Sequence, residues 1–400
     1  MDTKKELALL HIGGGELQKE GVIWAKELGL KVIVTDINKS APAARYADEF
    51  WNISGEDVEK LMGLAKIVNT KYKLTGVHTS SDFGLQAVSI ISEELCLGAC
   101  SLEALNNALN KQESSKKWAS NNLDCTVGAV VSTLQQARMI IEELNYPVIL
   151  KPVVGCGSQG IQSVDSNEKI EGAFNNAKNI SRNVRIEKLL KGRHVDVNGL
   201  FINDTFYECG TFDVHFCEPP YHYPIWSHQP SLITHEQERK IYQIVERGSR
   251  VLGINTGPVK ADVIWAEDRL YLIEITPRFQ GDVATIHLTP KALGINPLKA
   301  YFSYLSGHND WNRYLLSRQK QYAGWRALLS NKSGTLRNIQ GVSKVKNAYK
   351  LFLNIHIDQT IREPTNNNDI CGFIWAAGDS ISDLRSVLKE ECSNIVLDVK

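Results

Sequence analysis

Between Gly257 and Asp282 the chain reads GPVKADVIWAEDRLYLIEITPRFQGD, and no other stretch limits its fold so sharply. Lys260–Ala266 and Leu270–Thr276 are rich in β-branched and aromatic residues, and Glu267-Asp268-Arg269 is a polar turn between them, which is the pattern of a β-hairpin. Centring the hairpin on Asp268 sets Asp262 opposite Glu274 and Lys260 opposite Thr276. Two carboxylates facing each other across a ribbon repel, so the fold gains nothing from them unless a cation lies between. Mg²⁺ is commonly held by one or two carboxylates together with substrate phosphates. Arg278, four residues past Glu274, and Lys260 would add positive charge to the same place. The competing reading is an amphipathic hairpin whose acids face water.

The glycine-rich stretch upstream points the same way. Val148–Pro152 reads as a strand, Val153–Gly160 (VVGCGSQG) as a loop and Ile161–Val164 as the next strand. Gly155, Gly157, Ser158 and Gly160 lie within six residues, and Lys151 precedes them. Glycines let backbone N–H groups close around an anion, and a lysine adds a point charge. No Gly-Lys-Ser/Thr follows and a strand comes next, so this is not a Walker A loop. A plain hairpin loop is the alternative.

The chain opens as a βαβ unit. Leu7–Ile12 is a strand, Gly13-Gly14-Gly15 a turn, 16–28 an amphipathic helix and Lys31–Asp36 a second strand. An acid follows the glycines at the distance expected of a dinucleotide fingerprint, but Gln18 occupies the third glycine position, so a tight strand-to-helix turn is preferred over NAD binding. Helices are expected at 57–69, 85–95, 106–121, 134–144, 234–252 and 288–308. Ser80 and Asp82, after a strand ending at Thr79, are either substrate contacts beyond a strand end or helix N-caps. Val184–Leu190 reads as a strand whose Glu187, Lys188 and Leu190 would suit an adenine edge. Residues 207–229 read as an aromatic-rich loop, a flap near a ligand, with His215, His222 and His228 at the surface rather than at a metal. The tail from Trp325 carries strand runs at 351–357 and 372–376, a helix at 380–391 and a last strand at 395–399.

Four hundred residues suggest two or three domains. Forty-five basic residues balance forty-five acidic ones, which argues against nucleic acid or an anionic membrane as the main partner. No apolar run reaches membrane-span length, and the first residues lack a signal-peptide pattern. Eight scattered cysteines without a CxxC pair fit reduced thiols in a cytoplasmic setting. A homodimer is the default assembly.

Taken together the motifs resemble the ATP-grasp superfamily, of the carboxylate–amine ligase type. The resemblance rests on Asn110-Lys111, ILKPVVGCGSQGI at 149–161, IEKLLKGRHVDV at 186–197 and KADVIWAEDRLYLIEITPR at 260–278. The third stretch is similar to the nucleotide-binding stretch of biotin carboxylase. The resemblance implies a mixed α/β and α+β fold in three parts. They are a Rossmann-like pre-ATP-grasp domain (1–105), a two-lobed ATP-grasp domain (106–310, lid about 125–190) and a small α+β cap (311–400). It implies ATP with Mg²⁺ or Mn²⁺. Lys111 and Lys151 would meet phosphates, and Gly155, Gly157, Ser158 and Gly160 would close over them. Glu187, Lys188 and Leu190 would read adenine, with His194 near the ribose. Asp262, Glu274 and Thr276 would hold metal, and Arg278, with Lys260 nearby, would stabilise the transferring phosphoryl group. Thr276 stands where the family often has Asn, and Asp262 where Glu is common. The implied reaction is activation of a small-molecule carboxylate as an acyl phosphate followed by amide formation. A small-molecule kinase, a carboxylase and a non-catalytic nucleotide-binding protein are the rivals.

Overall fold

The strand β1 (Leu7–Ile12) is almost wholly buried and pairs in parallel with β2 (Lys31–Thr35) and β4 (Lys73–Thr79), while β3 (Glu49–Trp51) extends the sheet beyond β2. Helices α1 (Lys19–Glu27) and α2 (Val58–Lys71) connect these strands, as parallel crossovers require, and α3 (Leu85–Glu94), after β4, packs on the sheet as well. This computed structural model describes residues 5–316 and 321–400. Residues 1–4, part of the start read as lacking a signal-peptide pattern, and 317–320, within the expected cap at 311–400, lie outside that range. Gly13 adopts φ +101° and Asp36 accepts hydrogen bonds from Gly14 N (2.7 Å) and Asn38 N (2.7 Å). Both oxygens of the acid that a dinucleotide ribose would need are therefore spent on the turn itself.

The single helix expected at 106–121 is two helices, α4 (Leu102–Leu109) and α5 (Lys111–Ser120). Asn110 leaves the helical region (φ −89°, ψ 102°), and its side chain accepts from Gln112 N and Glu113 N, an N-cap that restarts the helix. The lid sheet comes next. It contains β5 (Gly128–Val131), α6 (Leu134–Leu144), β6 (Val148–Pro152), β7 (Gln162–Val164), α7 (Ile170–Lys178) and β8 (Val184–Lys188), in strand order β5-β8-β6-β7. Its two helices bury Ala137, Ile141, Ile170 and Phe174 against Leu150 and Ile186.

The central sheet has eight strands. Six of them are β9 (Arg193–Ile202), β10 (Thr205–Phe216), β11 (Pro224–Gln229), β12 (Gly257–Ala266), β13 (Arg269–Thr276) and β14 (Tyr322–Leu328). Helix α8 (His235–Leu252), capped by Thr234, packs beneath it, with α9 (Asp282–Thr285), α10 (Thr289–Leu293) and α11 (Pro297–Leu305) following β13. Two sequence expectations change here. Residues 207–229 form the paired strands β10 and β11 with only 217–223 as loop. The helix expected at 288–308 is broken by Gly294, at φ +70°, and by the Asn296 cap.

The tail supplies β15 (Gly334–Gln340), β16 (Lys350–Leu353), β17 (Thr360–Ile361), β18 (Gly372–Gly378), α12 (Ile381–Asn394) and β19 (Val396–Val399). Strands β14, β18 and β16 continue the central sheet, and only β17-β15-β19 form a small sheet of their own. The tail is thus hydrogen-bonded into the body of the molecule. Trp375 on β18 is fully buried, and its indole N–H donates to Val283 O at 2.8 Å. Trp375→Ala is expected to cost about 3–5 kcal/mol of stability through the cavity it leaves. Trp375→Phe should cost about 1 kcal/mol through the lost hydrogen bond. Denaturant titrations of the two variants measure the difference.

Candidate active site

The hairpin register is the one read from the sequence. Lys260 pairs with Thr276 and Asp262 with Glu274, and a bulge follows between Asp262 and Val263. The neighbouring strand adds what the hairpin alone could not show, because Asp196 on β9 lies beside Asp262. Three carboxylates therefore run across three adjacent strands. The Lys260 ammonium lies 2.9 Å from Asp262 and 3.5 Å from Glu274. Lys111, at the start of α5, reaches Glu274 at 3.2 Å and the carbonyl of Gly155 at 3.2 Å. Burial alone would raise the Glu274 carboxyl, but Lys111 and Lys260 outweigh it and hold it at about 2. For Lys260 burial works downward, and Asp262, Glu274 and Asp196 still carry it above the ordinary lysine value. Asp196 goes the other way. Burial and then repulsion from Asp262 push it well above the usual carboxylate range, and Gln280 Nε2 donates to it.

These groups open into one cavity of about 810 Å³ between the lid, the central sheet and the N-terminal sheet. Of the residues singled out in the sequence, Lys111, Lys151, Gly155, Gly157, Ser158, Glu187, Lys188, Leu190, His194, Lys260, Asp262, Glu274, Thr276 and Arg278 line it. Gly160 does not. A Cβ there would sit 3.0 Å from Asn176 O on α7, and its φ is +67°, so this glycine serves close packing within the lid. Gly157 (φ +64°) and Ser158 (φ +59°) supply the unusual backbone of the loop.

Two expected adenine contacts are already engaged. The Lys188 ammonium caps the carboxyl end of α6 by donating to Leu144, Asn145 and Tyr146 carbonyls at 3.3, 2.9 and 3.1 Å. Only the backbone and stem of Lys188 remain to face a base. The Glu187 carboxylate takes Lys151 Nζ at 2.7 Å and Arg185 Nε at 2.5 Å. Arg185 is fully buried and also donates to Gln112, to Ser115 Oγ (2.9 Å) and to Thr126 O (3.2 Å), so the pair joins the lid to α5. Burial would raise Glu187, but Lys151 and Arg185 prevail and bring it to about 2. His194 packs on Phe216 at 4.8 Å between ring centroids. Burial, then the nearby Lys151, lowers it to about 4, so it meets a ligand as neutral imidazole.

Arg278 is fixed from the N-terminal sheet. Its Nε and Nη2 donate to Asp82 at 2.7 and 2.9 Å, and its Nη1 donates to Phe279 O at 2.9 Å. Three of five guanidinium protons are thereby used and two remain. Asp82 is thus a positioning residue, and Ser81, not Asp82, provides the helix-cap hydrogen bond. The three histidines expected at the surface are not there. His215 stacks on Trp226 at 4.1 Å, His228 is buried 3.4 Å from Asp213, and His222 lines the cavity. Asp196 and Gln280 were missed altogether. The two-residue spacing from His194 to Asp196 on one strand was the available signal for the first.

Among the described residues no three His, Cys, Asp or Glu side chains close on a single point as a self-sufficient metal cage. Asp262 Oδ1 is nevertheless buried with the Lys260 ammonium beside it at 2.9 Å but no well-aligned hydrogen bond, and Asp262 with Glu274 offers hard carboxylate oxygens. Two acids with room for phosphate oxygens fit Mg²⁺ bound with a nucleotide.

Residues 127–279 match the family described as D-ala D-ala ligase C-terminus, and residues 326–400 match L-amino acid ligase C-terminal domain 2. A formate-dependent phosphoribosylglycinamide formyltransferase of Wolinella succinogenes is 26% identical over 286 residues, 69% of this chain and 71% of that one. The L-amino acid ligase of Bacillus licheniformis superposes with a TM-score of 0.84 over 100% of both chains at 20% identity. The biotin carboxylase domain of Hydrogenobacter thermophilus 2-oxoglutarate carboxylase, solved with MgADP, superposes at 0.74 over 100% of this chain and 92% of that one, at 17% identity.

Breaking the Lys151–Glu187–Arg185 cluster has a defined pH signature. The Glu187 carboxyl is held at about 2 against an ordinary 4.5, so its contribution is complete above pH 4.5 and is lost as pH falls toward 2. Glu187→Gln is expected to cost about 3–5 kcal/mol at neutral pH, since it strands two buried cations. The gap between wild-type and variant unfolding midpoints should shrink on acidification.

Residues 127–279 and 326–400 thus match domains of amino-acid ligases, and the fold they belong to is that of the ATP-grasp enzymes on which the chain superposes.

Proposed function

We propose that the enzyme activates a small-molecule carboxylate as its acyl phosphate, at the Arg278 end of the cavity, and joins it to a small-molecule amine. One observation carries the siting of this chemistry. Lysines from α5, the lid and β12, a glycine loop, two facing acids and a clamped arginine all border a single cavity. Lys111 and Lys151 would bind phosphate oxygens beneath the 155–160 loop. Asp262 and Glu274, with Thr276 at the strand end, would hold Mg²⁺. When bound, Mg²⁺ supplies charge neutralisation along the phosphate chain. Leu190 and the backbone at Glu187 and Lys188 would receive adenine, and neutral His194 the ribose.

In the first half-reaction the substrate carboxylate oxygen attacks the γ-phosphorus of ATP, and ADP leaves. The two unused protons of the Arg278 guanidinium meet the charge on the transferring group. In the second, an unprotonated amine attacks the acyl carbon, phosphate departs with the bonding pair, and the nitrogen loses a proton to give the amide. Positioning and charge compensation suffice for both steps. Cys156 lines the cavity, but burial raises its thiol, which favours the protonated, weakly nucleophilic form over a thioester route. The reading keeps the division at 1–105, 106–310 and 311–400. It also keeps a cytosolic setting, supported by eight free thiols, and a homodimer as the default assembly.

The test is a phosphate-release screen of carboxylates and amines, singly and in pairs, with ATP and Mg²⁺. Phosphate should appear only when both substrates are present. A stable phosphorylated product with one substrate would instead mark a kinase, and tight ATP retention without turnover a binding protein. In the productive pair, Glu274→Gln should lower kcat by at least about 100-fold, since one of the two carboxylate charges that would hold Mg²⁺ against the phosphates is removed. Its thermal midpoint should fall by less than that of Glu187→Gln, because Lys260 keeps Asp262 and Glu274 is partly open to water. Undiminished turnover in that variant would remove Glu274 from the metal site.

A further inference from the structure

The cavity also opens against the N-terminal sheet, where none of the phosphate-binding groups lies. The strand order there is β3-β2-β1-β4, all parallel, so the chain leaves β1 first to one side and later to the other. In such sheets a ligand lies beyond the carboxyl ends of the strands at the point of reversal. The turn after β1 is engaged with Asp36, which leaves the segments after β3 and β4. Residues 52–57 cross back over the end of β1. A Cβ on Gly55 would lie 3.1 Å from Ile12 Cγ2 and 3.6 Å from both Phe83 O and Gly84 Cα. This close approach sets the 55–56 backbone against residues 83–84, and Glu56, Phe83 and Gln86 all border the cavity.

The charge on this rim has one sign. Glu56 is exposed, and among the described residues nothing pairs with its carboxylate. Its neighbour Asp57 instead caps α2 and pairs with Lys60 at 2.6 Å. Phe83 is 58% exposed, so its ring is open to a ligand. The cations that line the cavity are engaged elsewhere. Lys111 and Lys260 lie on Glu274 and Asp262, Lys151 lies on Glu187, and Lys188 caps α6. Arg278 is bound to Asp82, so that pair adds no net charge. No lysine, arginine or histidine among the cavity-lining residues belongs to 52–57 or 80–86.

A phosphate or carboxylate brought to this rim would meet Glu56 with no cation to receive it. A carboxylate beside an open aromatic ring is the chemistry that receives a cation, through Coulomb attraction from the one and the ring quadrupole of the other. The acceptor of the ligase reaction is an amine, and the rim lies past Asp82 and Arg278, next to where the acyl phosphate forms. A positive charge at the far end of that amine would rest between Glu56 and Phe83 while its reacting nitrogen points at the acyl carbon.

We propose that Glu56 and Phe83 form a cation subsite for the far end of the amine substrate, which is therefore a diamine or another amine that carries a second positive charge and no phosphate. This rests on the ligase reading above and names the acceptor class for that site. The amide product keeps the second cation free.

The test uses the full chain with ATP, Mg²⁺ and whichever carboxylate releases phosphate in the screen above. The acceptors are 1,4-diaminobutane, pentylamine, 4-aminobutanoate and 2-aminoethyl phosphate, whose far ends are a cation, a methyl group, a carboxylate and a phosphate. The wild type should favour diaminobutane in kcat/KM, then pentylamine, and the two anionic acceptors least. Glu56→Gln should lower the ratio of diaminobutane to pentylamine by about 2–5-fold, the size of one exposed ion pair, mainly through KM. Phe83→Leu should lower the same ratio by about 2–5-fold, the size of an exposed cation–π contact. Added salt should erode the share that belongs to Glu56. Both side chains are exposed, so both variants should keep the wild-type thermal midpoint. A wild type that favoured pentylamine or 2-aminoethyl phosphate would overturn the subsite and leave the ligase standing. So would a Glu56→Gln variant that lost kcat/KM equally with every acceptor. No phosphate release with any carboxylate and amine, while ATP binds, would overturn the ligase reading and the subsite with it.

Discussion

Like charges set side by side in a sheet are the constraint from which the rest of the molecule follows. Asp196, Asp262 and Glu274 stand in register across β9, β12 and β13, and the ladder alone would be weakened by them. They are tolerated because lysines arrive from two directions. Lys260 lies on the same hairpin, and Lys111 comes from a helix that restarts at the Asn110 cap to aim its first side chain at Glu274. A buried lysine and a buried acid that hold each other at this spacing are poised for exchange. A metal–nucleotide complex carries both charges, so it can take up the acids through its metal and the lysines through its phosphates without leaving either set uncompensated.

The same exchange explains why the lid is tied down where it is. Lys111 bonds the Gly155 carbonyl as well as Glu274, and Asn367 N donates to Gly157 O at 3.0 Å. On its other edge, Ser163 N donates to Pro220 O at 2.8 Å in the loop between β10 and β11. The glycine loop is therefore held to α5 by two hydrogen bonds from Lys111 and to the tail by one from Asn367, each worth about 1 kcal/mol net. The deep Arg185–Glu187 cluster is the strong link between lid and α5.

How much of this the sequence carried depends on whether the signal was local. The hairpin register followed from one polar turn and period-two alternation, and the only irregularity, after Asp262, falls past the paired acids. The glycine loop and Lys151 were legible because backbone freedom and a point charge are both written in residue type. Asp196 was hidden, because its partner lies on a strand sixty-odd residues away and nothing local marks the pairing. The strands at 205–216 and 224–229 were obscured by His215, which stacks on Trp226, and by buried His228 and Asp213, which read as exposed polar positions although Pro230 and Ser231 satisfy those two. The breaks at Asn110 and Gly294 were missed because both flanking helices keep the same buried face across a one-turn interruption.

Asp82 and Asp282 show the limit most clearly. Each lies close in sequence to a residue of opposite or matching chemistry, yet their roles differ entirely through contacts across about two hundred positions. Asp82 binds Arg278, and Asp282 is bound by Ser80. The crossing of these two contacts fastens the N-terminal sheet to the end of the central hairpin. Through them a domain that looks in sequence like a cofactor-binding βαβ unit clamps Arg278 and, from Gly15 through Gln18 and Ser80, orders a chain of hydrogen bonds that ends on Asp282. Any shift of the N-terminal sheet would move Asp82 and Ser80 together.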